Sequence, residues 1–202
     1  MTDDIKTPTP SADSRPSPVL VVLLIVPLVG ILLALLMVAM TPRQPEGGLP
    51  TTGVQAASLI NFTAPPFDVL DLNGEVFSLL DYRGRVVFLN FWQTTCLPCE
   101  IEMPDLARFS REQGDEGVAV IALNFGETNE TVREWLAARD IVGLKVGMDY
   151  ESRIQRAYGV LNLPTTFVID PEGRVVYMKL GIMSLDEMYQ YADSVMAAAA
   201  SS

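Results

Sequence analysis

The chain of 202 residues contains no histidine and only two cysteines. Each scarcity closes off a chemistry. Without histidine there is no Ser-His-Asp triad, no Cys-His nucleophile pair and no imidazole metal ligand. Two cysteines alone do not complete a cysteine-rich structural zinc site. Basic residues are also few. The 14 Lys and Arg stand against 25 Asp and Glu, a formal net charge of −11. A phosphate-backbone binder needs clustered cations, so nucleic acid is not an expected partner. Apolar residues, by contrast, make up 49% of the chain, enough for a packed core.

Those apolar residues are unevenly spread. No charge occurs between Arg15 and Arg43, and residues 19–40 are an almost unbroken run of Val, Leu, Ile, Ala and Met. As a helix this run spans roughly 33 Å, the thickness of a bilayer core. Pro27 and Gly30 interrupt it, which membrane helices tolerate. A cleaved signal peptide has a shorter apolar core, about 7–15 residues, so the run predicts one uncleaved transmembrane helix. Lys6 and Arg15 precede it and only Arg43 follows closely. That bias favours a cytoplasmic N-terminus and an extracytoplasmic C-terminal domain at a cell membrane. Residues 1–18, rich in Pro, Ser, Thr and Asp, predict a disordered cytoplasmic tail. Residues 41–58, with Pro42, Pro45, Gly47, Gly48, Pro50 and Gly53, predict a flexible linker. A folded domain is expected over 59–202, and it carries nearly all of the acidity.

Within that domain the periodicity alternates. Residues 67–70 and 76–78 flank Asn73-Gly74, a hairpin signal. Residues 86–91 and 118–123 are continuous apolar runs, as expected of strands buried on both faces. A helix to about residue 113, kinked by Pro104 inside it, is expected between them. A second helix, capped by Thr128 or Asn129, should end near Arg139. Val146 and Met148 suggest a short strand, and residues 152–158 a short helix stopped by Gly159. Residues 165–169 and 175–180 flank Asp170-Pro171-Glu172-Gly173, a second hairpin. Ser184 and Glu187 form a capping-box pattern opening the last helix. The expected class is α/β, a mixed central sheet with helices on both faces and an N-terminal β-hairpin extension.

Both cysteines fall in Cys96-Leu97-Pro98-Cys99. The motif follows a buried strand and opens a helix. Unpaired N–H groups and the positive end of the helix dipole stabilise a thiolate at Cys96. Helical spacing brings Cys99 beneath it, within reach of a disulfide. Pro98 is tolerated in a first helical turn. The alternatives are a passive bridge, which stabilises little when it closes so small a loop, and half of a zinc site. Disulfide exchange needs a proton acceptor and donor for Cys99, and without histidine a carboxylate is the natural choice. Glu102 lies three residues past Cys99 on the same helical face. Glu100 fits better as a first-turn acid that favours the dipole.

The segments FLNFWQTTCLPCEIEMPDL (88–106) and GVLNLPTTFVIDPEGRVV (159–176), with the spacing between them, resemble a known family. Over about residues 60–195 the chain is similar to the thioredoxin fold, specifically to TlpA/ResA-like membrane-anchored thiol–disulfide oxidoreductases. The resemblance implies a thioredoxin-like domain in which Cys96 is the attacking thiol and Cys99 the resolving one. It implies that Pro164 is a cis-proline facing the disulfide, and that the Leu163 peptide group pairs with an extended substrate segment. It also places Glu102 as an acid near the cysteines. Thioredoxins proper carry an acid at the position of Asn90, and an amide cannot take the proton. Trp92, beside the motif, is expected to pack against the site or the substrate, or equally to be a core aromatic with a polar handle. Thr95 stands where the family usually has tryptophan, which removes an apolar lip.

Other chemistries on this fold fail by residue. Leu89 and Gln93 occupy the positions of the peroxidase proline and threonine. The copper-delivering CxxxC is absent, and so is the histidine that isomerases carry inside the pair. The implied function is an anchored, extracytoplasmic oxidoreductase, acting as a reductant of substrate proteins as in apocytochrome c maturation. Its partners would be disulfide- or dithiol-bearing proteins, with no cofactor and no metal. Only one apolar span is present, so electrons would come from a separate membrane donor. The competing readings are a docking module with a structural disulfide and a Cu(I) metallochaperone.

Overall fold

The computed structural model describes residues 61–114 and 117–200. The expected tail (1–18), anchor (19–40) and linker (41–58) lie outside them. Among the described residues no helix is long and apolar enough to cross a membrane.

Eight strands form one sheet: β1 (Phe62–Thr63), β2 (Asp68–Asp71), β3 (Val76–Ser78), β4 (Val86–Trp92), β5 (Val118–Phe125), β6 (Lys145–Asp149), β7 (Thr165–Ile169) and β8 (Arg174–Leu180). Among the described residues four helices accompany them: α1 (Leu97–Gln113), α2 (Asn129–Ala137), α3 (Arg153–Ala157) and α4 (Leu185–Ala200). The order across the sheet is β1-β8-β7-β4-β5-β6-β2-β3. The continuous apolar runs are the central strands. Every residue of β4 is buried, because β5 lies parallel on one side, β7 lies antiparallel on the other, and both faces are covered.

The crossovers from β4 to β5 and from β5 to β6 step the same way across the sheet, and α1 and α2 pack on one face, as a shared handedness of such crossovers requires. There Phe88 and Trp92 pack with Met103, Leu106 and Phe109 of α1, Trp135 of α2 and Met188 of α4. On the other face Leu89 and Phe91 pack with Ile154 of α3, Tyr158 beyond it, and Phe67 and Phe77 of the first hairpin. The expected mixed sheet with helices on both faces is present, and the thioredoxin-like fold with it. The first hairpin joins the sheet through β2, antiparallel to β6. Buried Asp71 fixes its turn by accepting the Asn73 and Glu75 N–H groups. It also takes Lys145 Nζ at 2.7 Å, and that bond holds its carboxyl below the usual range.

Two elements go beyond the sequence reading. β1 is too short to show a period, and its place comes from pairing with β8. A 3₁₀ turn at Leu79–Tyr82 is opened by a capping box in which Ser78 and Asp81 satisfy each other's backbone. Pro104 does not end α1; it sits on the exposed side of that helix.

Gly147 shows how tightly the hairpin seats on β6. A Cβ there would lie 2.8 Å from Leu123, 3.0 Å from Val69 and 3.1 Å from Phe77. Gly147→Ala should therefore overpack this face and cost about 1–3 kcal/mol, read as a lower denaturant midpoint with an unchanged slope.

Candidate active site

The site is built at the end of the central strand. β4 ends at Trp92, and four residues later Cys96 is the N-cap of α1, with extended backbone (φ −89°, ψ 103°). Its Sγ accepts the Cys99 N–H at 3.2 Å. The two cysteines are joined as a disulfide with Cα atoms 5.2 Å apart. Cys96 is half-buried and Cys99 buried, while Leu97 and Pro98 between them are exposed. Only one sulfur of the pair faces outward.

The loop before Cys96 is held from β5. The Thr94 N–H and hydroxyl donate to the Glu127 carboxylate at 2.9 and 2.6 Å, and Asn124 Nδ2 donates to it at 2.6 Å. Gln93 Nε2 donates to the Phe125 carbonyl. Glu127 was not among the residues expected from sequence. It lies 33 residues from Thr94, and no local pattern marks it.

Glu102 is brought beneath the pair on the inner face of α1. It is 1% exposed. One oxygen accepts the Met183 N–H at 3.0 Å and the other accepts Asn90 Nδ2 at 3.2 Å. Burial pushes its carboxyl up to about 7; the bonds from Met183 and Asn90 oppose that rise. Asn90 also donates to Thr166 Oγ1 at 2.9 Å. An amide suits a titrating partner, since its N–H serves the carboxylate and, after a half-turn, its carbonyl can serve the acid.

Glu100 faces elsewhere, as expected of a first-turn acid. It pairs with Arg139 Nε at 3.1 Å, and that guanidinium stacks over Trp135 at 4.2 Å. Trp135 in turn packs on Trp92, ring centroids 5.1 Å apart. This corrects the expectation that Trp92 meets substrate. Trp92 is fully buried and supports the motif from the core.

The Leu163–Pro164 peptide is cis. Thr165 pairs with Phe91, so residues 163–164 leave the sheet at the same end as Trp92 and the motif. The Pro164 carbonyl accepts the Gly181 N–H at 2.8 Å. Among the described residues the Leu163 N–H and C=O have no hydrogen-bond partner. A cavity of about 410 Å³ lies away from the pair, between the first hairpin and α3, lined by Pro65, Phe67 and Tyr158.

A dithiol at that position exchanges two electrons by swapping S–S partners, without a cofactor. Fold and pair together thus define the class, a thioredoxin-fold thiol–disulfide oxidoreductase. Residues 60–178 match the AhpC/TSA family. The thiol-disulfide oxidoreductase ResA of Geobacillus thermodenitrificans (strain NG80-2) is 38% identical over 141 residues, 70% of this chain and 80% of that protein. ResA of Bacillus subtilis (strain 168) is 37% identical over 132 residues, 65% and 73% respectively. A thiol:disulfide interchange protein of the thioredoxin family from Chlorobium tepidum TLS superposes with a TM-score of 0.60 at 25% identity, covering 69% of this chain and 99% of that one. The pneumococcal exposed lipoprotein thioredoxin Etrx1 gives 0.59 at 28%, covering 64% and 99%. The chain belongs to the AhpC/TSA family, among its ResA-like thiol–disulfide oxidoreductases.

Two predictions follow from this geometry. Glu127→Gln weakens the bonds that order residues 93–95, so the exchange rate should fall roughly tenfold with unchanged secondary structure. Stopped-flow exchange with a model disulfide and circular dichroism would check it. The second concerns Glu102. The folded protein holds this proton more tightly than the unfolded chain. The resulting stability is complete below about pH 4.5 and is lost as the pH rises through about 7. Glu102→Gln cannot ionise, so it should gain about 3 kcal/mol on the wild type between those pH values, measured by denaturant unfolding of the oxidised proteins.

Proposed function

We propose that this chain is a membrane-anchored, extracytoplasmic reductant of protein disulfides, acting in processes such as cytochrome c maturation. The observation that carries the reading is the asymmetry of the pair: an accessible Cys96 sulfur, a buried Cys99 and a buried carboxyl one turn further along α1. In the reduced protein the Cys96 thiolate, favoured by the Cys99 N–H and the helix N-terminus, attacks a substrate disulfide. One substrate sulfur leaves as a thiolate and takes up a proton. Glu102 accepts the Cys99 proton, and the Cys99 thiolate attacks the Cys96 sulfur of the mixed disulfide. The second substrate thiolate departs. The substrate has gained two electrons and the pair is a disulfide again.

The free Leu163 peptide group supports an extended substrate segment lying against residues 163–164 as an added strand. The apolar run at 19–40 supports the anchor, and the charges at Lys6, Arg15 and Arg43 the orientation. One span cannot carry electrons across a bilayer, so re-reduction falls to a separate membrane donor.

The test is to trap the intermediate. Cys99→Ser expressed in membranes should accumulate mixed disulfides with its substrates, released by dithiothreitol and absent when Cys96 is also replaced. Protease added to intact spheroplasts should digest the domain. Absence of adducts, with Cys96 unreactive toward alkylation from about pH 5 to about 9, would instead indicate a structural disulfide in a docking module.

A further inference from the structure

A row of polar side chains crosses the apolar face beneath the redox pair. In register, Asn90 of β4 lies opposite Thr166 of β7, and Thr166 opposite Lys179 of β8. Helices α1 and α4 place a carboxylate each over this row. Glu102 bonds to Asn90, and Glu187 bonds to Lys179 at 2.6 Å. Lys179 and Glu187 are each only 14% exposed. An ion pair taken so far out of water is no stability device. An apolar pair of similar size is often as stabilising or more so. Its place suggests another use.

The pair sits on the segment that grips Glu102. Glu187 accepts the Ser184 N–H at 2.9 Å and closes the capping box of α4. The residue before that cap is Met183, whose N–H is bonded to Glu102. Two residues earlier, the Gly181 N–H holds the Pro164 carbonyl. One short loop thus connects the substrate-side backbone, the buried carboxyl and the Lys179–Glu187 pair.

We propose that Lys179 and Glu187 are positioning residues for Glu102, holding its Met183 hydrogen bond in place and setting, by their opposed charges, the pH at which it releases its proton. Among the described residues the charged groups that act on Glu102 are these two, from β8 and α4. β4 and β7 contribute the neutral Asn90 and Thr166. Tyr177 and Tyr191 belong to the same core and contribute phenol rings tilted against each other, and Cys99 on the inner face of α1 is held in the disulfide. Glu187 pushes the Glu102 carboxyl upward and Lys179 draws it down. Burial works against the charge on Glu187, but Lys179 and the Ser184 N–H outweigh it and hold that carboxyl below its usual range. Glu187 is therefore already ionised where Glu102 titrates.

This proposal rests on Glu102 handling the Cys99 proton, but its test does not. In the oxidised full chain in detergent, the Glu102 carboxyl is followed by NMR with labelled glutamate and assigned by its loss in Glu102→Gln. Glu187→Gln, which keeps a cap acceptor, should lower the Glu102 midpoint by a measurable fraction of a pH unit, and Lys179→Met should raise it by a similar amount. The double variant should return close to the wild type. Opposite shifts that cancel are not produced by loosened packing alone. An unmoved midpoint in Glu187→Gln, or shifts of the same sign, would overturn the proposal. If Lys179→Met does not fold, Glu187→Gln decides alone. If Glu102→Gln exchanged disulfides at the wild-type rate, the chemical role of Glu102 would fall while the measured coupling stood.

Discussion

Taking the Glu102 carboxyl out of water, one helical turn past Cys99, is the constraint on which the rest of the site depends. In water such a group ionises well below neutrality and would be deprotonated throughout the working range of a thiol. Buried against the sheet it holds its proton to about pH 7, where it can both take and return one. Burial alone would leave two lone oxygens unsatisfied. The Met183 N–H and the Asn90 amide supply donors, so the group is held in place without being forced to stay charged.

That arrangement needs a rigid frame on three sides, and the sheet order provides it. β4 carries Asn90 and delivers the chain to Cys96. β7 starts beside the end of β4 and brings the Leu163–Pro164 peptide to the same edge. β8 returns to the loop that donates Met183. The first hairpin, β1 and α3 take no direct part. They cover the far face and the sheet margins, so that β4 stays buried along its whole length.

Much of this was legible in the linear chain, because the informative residues are local. Two cysteines at helical spacing, continuous apolar runs and turn signals at Asn73-Gly74 and Pro171-Glu172-Gly173 each mark their own segment. Glu102 could be found by elimination, since no histidine was available. The cis-proline came from resemblance, as nothing in the spacing of Leu163-Pro164 distinguishes it from a proline at a strand start. The rest is tertiary. Glu127 reaches Thr94 across 33 residues, and Lys179 reaches Glu187 across a strand-to-helix turn. Trp92 shows the opposite failure. An aromatic next to a reactive motif suggests a contact surface, but a strand buried on both faces has no exposed side chain at all.

The absence of histidine bears on the direction of electron flow as well as on the proton. A protonated imidazole beside the pair would be a cation. It would favour the thiolate, stabilise the dithiol form and make the disulfide oxidising. A carboxyl is neutral when protonated and negative otherwise. At no pH does it favour a nearby thiolate by its charge. Near neutrality its charge therefore disfavours the thiolate and to that extent the reduced form, a bias that fits the proposed reductant. The helix N-terminus and the Cys99 N–H work the other way at Cys96, the one sulfur that must be nucleophilic. The two influences act on different sulfurs. In the proposed cycle Cys96 is kept reactive toward substrate, while Cys99 keeps its proton until Glu102 removes it.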